Sequence, residues 1–300
     1  MRKLLSANFA RLWRSKIFWA GIIVMASSSV LVAWFNVELS RSRSVILDEY
    51  YFLYAPFVGI FCAAFAALFL GREYSDGTIR NKLIAGCRRF EIYLANLLTV
   101  FCATLIVMAA WLIGALAGIP VLGAWEIGAA GLLKYLLISV LFTAALSAIF
   151  TFIGMLYTNR ALNTACSILL LLVFLIASLY INSLLMEPER YYLHDYDNSQ
   201  PELLVMFGME VDANGVVFRT NSAFVGGFTR LVYELFMDFL PSGQTVSVSN
   251  IQRWPYDSPA GNYLGILEVQ RPVRMVLLSV LFTAMVTAAG LYAFDRKNIR

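Results

Sequence analysis

The sequence predicts an all-α membrane protein with six transmembrane helices, and three observations support this fold class. Hydrophobic residues make up 60% of the 300 residues and charged residues only 14%, against about 25% charged in a typical soluble domain. The mean hydropathy is +0.72, which is more apolar than one water-soluble core requires. Six separate apolar stretches also have the length of a membrane span.

A helix needs about 20 mainly apolar residues to cross a hydrocarbon core of about 30 Å. The six stretches of that kind are 17–35, 51–70, 92–117, 132–156, 161–185 and 275–294. The first could be mistaken for a secretory signal, but the residues that follow it offer no small-residue cleavage site. We therefore expect it to remain in the protein, with residues 17–185 forming five spans and residues 274–300 the sixth span and the tail.

Lysine and arginine residues concentrate on one side of the six predicted spans. The residues on this side are Arg2, Lys3, Arg11, Arg14, Lys16, Arg72, Arg80, Lys82, Arg88, Arg89, Arg160, Arg296, Lys297 and Arg300. The opposite side carries Arg41 and Arg43 in its first loop and a long, mainly acidic segment over 186–273. Because basic loops stay in the cytoplasm, we expect a multi-pass plasma membrane protein with both termini cytoplasmic.

Residues 1–16 predict an amphipathic helix before the first span. Leu5, Phe9 and Leu12 share one helical face, while the basic side chains of this segment point elsewhere. A helix of this kind lies in the membrane interface with its apolar face inward. A basic cluster that only orients the first span explains the same residues equally well.

The segment 186–273 is long enough to form a small α+β unit outside the membrane. The stretch "EVDANGVVFR" predicts a β-hairpin, because Asn214-Gly215 suits a type I′ turn between short strands. The apolar residues between Phe224 and Phe239 then recur at helical spacing, and we expect Pro241 and Gly243 to stop that helix. We predict an amphipathic helix packed on the outer leaflet or on the hairpin.

The stretch "GREYSDGTIRNKL", residues 71–83, places five charges between two apolar spans. We expect Gly71 to end the second span and Gly77 to allow a sharp turn. Thr78 is a good N-cap, so a short helix is expected over 78–86, closed by Gly86.

The predicted short helix carries an apolar ridge with charged flanks. Ile79 and Leu83 form the ridge, and Arg80 and Lys82 lie on either side of it. This arrangement suits a helix that enters a groove on a soluble partner. A helical loop that serves only as a basic anchor fits the same residues.

The sequence lacks the motifs of the common catalytic sites. It contains no GxxxxGK[ST] phosphate-binding loop, no HExxH zinc motif and no GxSxG elbow, and it has a single histidine and four scattered cysteines. We therefore expect no catalytic, cofactor-binding or metal-binding residues in this chain, no enzyme activity of its own, and no nucleic acid partner.

Three stretches of the chain resemble a known transporter family. The pattern Glu73-Tyr74-x-x-Gly77-Thr78-Ile79-Arg80 follows the second span, "CRRFEIYLANLL" leads into the third, and "YAFDRKNI" follows the sixth. This pattern, and the layout of six spans with an outer segment before the last, is similar to the ABC-2 family of ABC transporter permeases.

The resemblance implies a permease that works with a separate ATPase subunit, which binds ATP and Mg, and with a second permease chain as a homo- or heterodimer. The short helix after the second span would be the coupling helix that contacts the ATPase. Residues that match the motif or flank it are Glu73, Gly77, Thr78, Ile79, Arg80, Lys82 and Leu83. Of these, we expect Ile79, Arg80 and Leu83 to touch the ATPase and Glu73 to orient the bend by pairing with a basic neighbour.

The function that these expectations favour is export of an amphiphilic cargo, such as a hydrophobic peptide, an antibiotic or a lipid-like molecule. No acidic residue interrupts the predicted spans, which argues against an ion-driven carrier. Candidate pathway residues are Phe61, Phe65, Phe101 and Trp111. The alternative is a non-transporting membrane subunit, a sensor or an assembly factor, that recruits a cytoplasmic partner through its basic loops.

Overall fold

A computed structural model describes residues 1–39, 47–119, 127–193, 209–211, 217–250 and 271–297. Within these residues six helices are long and apolar enough to cross a membrane, and each overlaps the stretch predicted for it. They are α2 (Lys16–Leu39), α4 (Tyr54–Ser75), α6 (Arg89–Ala115), α7 (Gly128–Leu156), α8 (Arg160–Met186) and α11 (Pro272–Arg296). The predicted fold class is confirmed.

Helices α4 and α7 form the centre of the bundle. In their most apolar stretches 67% and 61% of the residues are buried, whereas the value for α8 is 11%. The outer helices instead expose large apolar side chains such as Ile23, Leu169 and Leu277. An apolar surface of this extent is typical of helices that face lipid.

Two short helices and the C-terminal end of α11 gather at one end of the bundle, which we call the basic end. Helix α1 (Arg2–Trp13) lies against α6, and α5 (Thr78–Ile84) lies against α4 and α6. The predicted helix is present, but the face that it buries consists of Leu4, Asn8 and Leu12, while Leu5 and Phe9 are only partly buried. Its location in the membrane interface stays a prediction.

The opposite end, the sheet end, carries α3 (Leu47–Tyr51) and a three-stranded antiparallel sheet. The strands β1 (Arg190–Leu193), β2 (Glu210–Val211) and β3 (Val217–Thr220) follow the order β1-β3-β2. Val211 pairs with Val217, so the two arms of the predicted hairpin are paired as expected. Its turn, Asn214-Gly215, lies outside the described residues, and strand β1 was not predicted.

Two further helices, α9 (Gly227–Phe239) and α10 (Pro241–Ser249), lie between the sheet and the last span. The predicted amphipathic helix ends at Phe239, just before Pro241, as expected, but a second helix that was not predicted follows and contains Gly243. Proline is favoured at the first position of a helix because its missing N–H has no helical partner there anyway, and Pro241 accordingly opens α10.

Helix α9, the predicted amphipathic helix, packs against α8, α10 and α11, and its contact with the outer leaflet stays a prediction. Helix α10 enters the bundle and packs against α4, α7 and α8. Its polar side chains are buried and bonded. Gln244 donates from Nε2 to the Asp238 carbonyl at 2.6 Å, and Ser279 of α11 donates to Gln244 Oε1 at 2.6 Å. The hydroxyls of Ser178 and Ser242 lie 2.9 Å apart. These bonds satisfy groups that would otherwise be costly to bury.

A group of charges joins α9 to the start of α11. Glu234 forms an ion pair with Arg271 at 2.7 Å. Asp238 forms ion pairs with Arg271 at 3.2 Å and with Arg274. The pairing of these two acids was not predicted. Asp238 is 3% exposed, and its pairing fixes the helix pair α9–α10 to the last span.

Candidate functional site

The second span continues beyond the position predicted for its end. Helix α4 passes through Gly71 and ends at Ser75, and the absence of a side chain at Gly71 lets Arg160 pack against it. Gly77 makes the turn, as predicted, with a φ of 65°. Thr78 is not the N-cap but the first residue of α5, and Gly77 occupies the cap position without a side-chain bond.

Helix α5 ends as the sequence predicts. Gly86 has a φ of 81°, which is the left-handed conformation that glycine adopts at low cost. The N–H of Cys87 bonds to the Lys82 carbonyl and the N–H of Gly86 to the Leu83 carbonyl, both at 3.0 Å. This pair of bonds is a Schellman motif, and it satisfies two carbonyls at the end of the short helix.

The apolar ridge of α5 faces the bundle and not the solvent, which contradicts the prediction. Ile79 is 1% exposed, and Leu83 packs against the apolar core. Arg80 and Asn81 are exposed, and Ile84 is 75% exposed. Ile79 and Leu83, which are four residues apart, pack into the core formed by α4 and α6. The exposed apolar side chain of this helix is therefore Ile84.

Glu73 is the centre of a buried polar network that joins four helices. Its Oε1 pairs with Arg11 of α1 and, at 2.6 Å, with Nζ of Lys82 on α5. Its Oε2 accepts a bond of 2.9 Å from the side-chain amide of Asn96 on α6. Glu73 itself is fully buried. The prediction that Glu73 pairs with a basic neighbour at the bend is confirmed.

Asn8 closes the network by bonding to two of its members. It accepts a bond from Lys82 Nζ at 3.0 Å and donates to Asn96 Oδ1 at 2.7 Å. We call Asn8, Arg11, Glu73, Lys82 and Asn96 the Glu73 network. Lys82, which was expected on the docking face, therefore points into the protein.

Asn8, Arg11 and Asn96 were not predicted to be members of this site. Asn8 and Asn96 could have been identified from their side-chain amides, which lie among apolar neighbours on a helix, since a buried polar group must find a hydrogen-bond partner. Two such amides, Asn8 and Asn96, point to each other across the contact between α1 and α6.

The end of α11 is attached beside this network. Lys297 donates from Nζ to the Met155 carbonyl at 2.8 Å and to the Tyr74 hydroxyl at 3.0 Å. Arg89 donates to the carbonyls of Phe294 and Lys297 at 2.8 and 2.6 Å. The end of the last span thus meets α4, α6 and α7 beside the Glu73 network.

We predict that Lys297 titrates near pH 8. Burial penalises its charged form and lowers its pKa from 10.5 to about 8. Between these two values the unfolded chain binds more protons than the folded one, so the contribution of Lys297 to the free energy of unfolding rises with pH. Acetylation rates of Lys297, measured across pH by mass spectrometry, should have a midpoint near 8 in the folded protein.

The control for Lys297 is the same measurement on the denatured chain, where the midpoint should return toward 10.5. A Lys297→Met variant should also lack the rise in the free energy of unfolding above pH 8. Equal midpoints in the folded and denatured chains would contradict the burial of this amine.

The four candidate pathway residues lie in different surroundings. Phe65 stacks on Phe61 with ring centroids 5.4 Å apart, and Trp111 stacks on Phe57 at 5.6 Å. Phe65 and Trp111 are fully buried within the chain, whereas Phe61 and Phe101 are partly exposed. Two of the four therefore contribute to the packing of this conformation, and a pathway along them stays a prediction.

A comparison with protein families matches residues 4–178 to the ABC-2 family transporter proteins. The match covers more than half of the chain and includes the whole Glu73 network and α5. A comparison with curated proteins gave no match. Members of this family are membrane components that in general work with an ABC ATPase and are generally not catalytic themselves. The chain therefore belongs to the ABC-2 family of transporter proteins and is a permease of an ATP-binding cassette transporter.

Proposed function

We propose that this permease exports an amphiphilic cargo and that a separate ATPase subunit drives it by docking on α5. The observation that carries this proposal is the connection of α5 to the rest of the basic end. One side of α5 is bonded through Lys82 to Glu73 and Asn8, and the other side is exposed. A force applied to the exposed side therefore reaches α1, α4 and α6 directly.

The network makes these elements move together. Ile79 is held in the apolar core, so α5 has no free rotation about its own axis. Nucleotide binding in the partner has to favour only one of two bundle arrangements that differ by a few kcal/mol. ATP and Mg would be bound by that partner, with no cofactor in this chain.

The docking surface that we propose consists of Arg80, Ile84 and Arg88. Ile84 is 75% exposed, and both arginines are exposed. One apolar side chain between two cations suits a cleft with an apolar floor and an acidic rim. Ile84 thus takes the role that was predicted for Ile79 and Leu83, while Arg80 keeps its predicted role.

An amphiphilic cargo is favoured by the composition of the spans. In the described spans the acidic side chains, Glu38, Glu73, Glu91 and Asp295, all lie within the first or last turns of their helices. A route without charge near the membrane midplane suits a hydrophobic peptide, an antibiotic or a lipid-like molecule. Susceptibility of cells that lack the gene to membrane-active peptides and drugs would identify the class.

We also propose that both termini are cytoplasmic and that two permease chains, identical or different, pair in the plasma membrane. Fourteen of the 23 lysine and arginine residues fall in the segments predicted to lie on the side of the termini, and segments rich in these residues stay in the cytoplasm. The ATPase would then reach α5 from the same side as the termini.

The test of docking is the double variant Arg80→Glu with Ile84→Asp. It reverses one charge and places another on the apolar contact, and the co-purifying ATPase should be lost while the permease still inserts. The matched control is Tyr157→Asp with Arg160→Glu, an exposed aromatic and basic pair in the next loop at the same end. The control should retain the ATPase. Retention by the Arg80–Ile84 variant would contradict docking on α5.

The alternative, a non-transporting subunit that recruits a cytoplasmic partner, predicts a different companion gene. A transporter requires an ATPase with a GxxxxGK[ST] loop, and we expect one to be encoded beside this chain. A neighbouring gene set without such an ATPase, together with no change in cargo susceptibility on deletion, would favour the sensor or assembly role.

A further inference from the structure

The junction between α1 and α2 presents aromatic rings and cations together. We call its residues Trp13, Arg14, Lys16, Phe18 and Trp19 the elbow. The three rings contact one another with centroids 5.6 to 5.8 Å apart. The indole N–H of Trp19 donates to the Trp13 carbonyl at 2.8 Å, which holds the two indoles side by side. Both tryptophans are about half exposed.

The cations of the elbow have no counterion in the part of the chain that the structure describes. Arg14 and Lys16 are exposed, and among the described residues neither forms an ion pair or a side-chain hydrogen bond. The first acidic residue of the sequence is Glu38. Arg11, by contrast, is occupied by Glu73. The elbow is therefore a positive surface that the described protein does not neutralise.

The surface next to the elbow favours a lipid over a soluble protein as the occupant. Beyond Trp19 along α2, Ile23 is 65% and Val24 is 59% exposed. The order along the surface is thus cation, indole and aliphatic side chain. Anionic headgroup, interfacial region and acyl chain follow one another in the same order in a bilayer leaflet.

The position of the elbow is fixed by the rest of the protein. Asn8 and Arg11 attach α1 to the Glu73 network, and Leu12 is fully buried. Arg14 and Lys16 are therefore held at a set place on the bundle, so that they can form a local site instead of a diffuse attraction.

We propose that the elbow binds the headgroup of an anionic phospholipid from the leaflet at the basic end. Arg14 and Lys16 contact the phosphate, and the rings of Trp13 and Trp19 lie against the glycerol and the upper acyl chain. This site does not depend on ATPase docking or on the nature of the cargo, because it involves only α1, α2 and the membrane.

The test is quenching of tryptophan fluorescence in vesicles of equal parts phosphatidylcholine and phosphatidylglycerol. In one set of vesicles the acyl chains of phosphatidylcholine carry bromine, and in the other set those of phosphatidylglycerol. The tryptophan fluorescence of the full-length protein should be quenched more strongly by brominated phosphatidylglycerol. In the variant Arg14→Gln with Lys16→Gln this preference should fall by about twenty-five-fold, because each cation near an anionic surface strengthens binding roughly fivefold.

Two further variants serve as controls for charge and for position. Arg14→Lys with Lys16→Arg retains both charges and should retain the preference. Arg160→Gln with Arg296→Gln removes two exposed cations elsewhere at the same end and should also retain it.

Three results would overturn the proposal. The first is equal quenching of the unmodified protein by the two brominated lipids. The second is an equal loss of preference in the Arg160–Arg296 variant, which would show general surface charge. The third is loss of the preference on adding excess soluble glycerol phosphate, which would show a site for free phosphate groups.

Discussion

Glu73→Gln should lower the free energy of unfolding by about 3 kcal/mol. The substitution keeps the shape of the side chain and can keep a bond to Asn96, but it leaves Arg11 and Lys82 without their anion. The Lys82 side chain is only 11% exposed. Removing one partner of a buried pair costs about 3–5 kcal/mol, and the 30% exposure of Arg11 places the expected value at the lower end.

Unfolding in increasing concentrations of dodecyl sulfate, followed by circular dichroism, measures this loss. Asp76→Asn is the matched control, because it removes the same charge from an exposed residue three positions away and should change the stability by less than about 0.5 kcal/mol. Adding Lys82→Met to Glu73→Gln should recover part of the stability by removing an unpaired cation. A Glu73→Gln protein as stable as the Asp76→Asn protein would show that the network contributes little.

Gly243→Ala should destabilise the helix pair α9–α10 by about 3 kcal/mol. A methyl group at this position would meet the Met237 carbonyl oxygen at 2.3 Å and the Met237 Cα at 2.6 Å. Both are backbone atoms, so no side-chain rotation can relieve the contact. We expect α10 to be displaced from its position among α4, α7 and α8.

Disulfide formation between Ser178→Cys and Ser242→Cys reports the position of α10, since the two hydroxyls lie 2.9 Å apart. The cross-link should form readily when residue 243 is glycine and should fail to form when it is alanine. Gly59→Ala is the matched control: it also adds a methyl group inside the bundle, but the nearest atom is a flexible Leu171 side-chain carbon at 3.4 Å. Efficient cross-linking in the Gly243→Ala protein would refute the predicted clash.

The spans could be predicted because each is long enough and apolar enough to be identified without knowledge of its neighbours. The existence and the end of α5 could also be predicted, since Gly77 and Gly86 mark its limits. Its orientation could not. Ile79, Leu83 and Ile84 are all apolar, and only the packing of α4 and α6 decides which of them are buried.

Helix α10 was missed because its sequence, "PSGQTVSVS", has the composition of a turn. Helix propensity is a weak signal that tertiary contacts override, and here the contacts are specific. Gly243 permits the close approach to Met237, and Gln244 bonds to Ser279, which lies 35 residues later. Local sequence patterns carry no trace of partners at that distance.

The location of α10 also constrains how the protein is made. Ser178 on α8, the partner of Ser242 in α10, is synthesised before α10. Ser279, the partner of Gln244, belongs to the last helix and is synthesised after α10. In a nascent chain that ends at Asn250 the side-chain oxygen of Gln244 would lack its partner in a nonpolar setting, which is unfavourable. We therefore expect α10 to settle into the bundle only after the final span has been made, and a chain that stops before residue 279 should be less stable than the full-length protein.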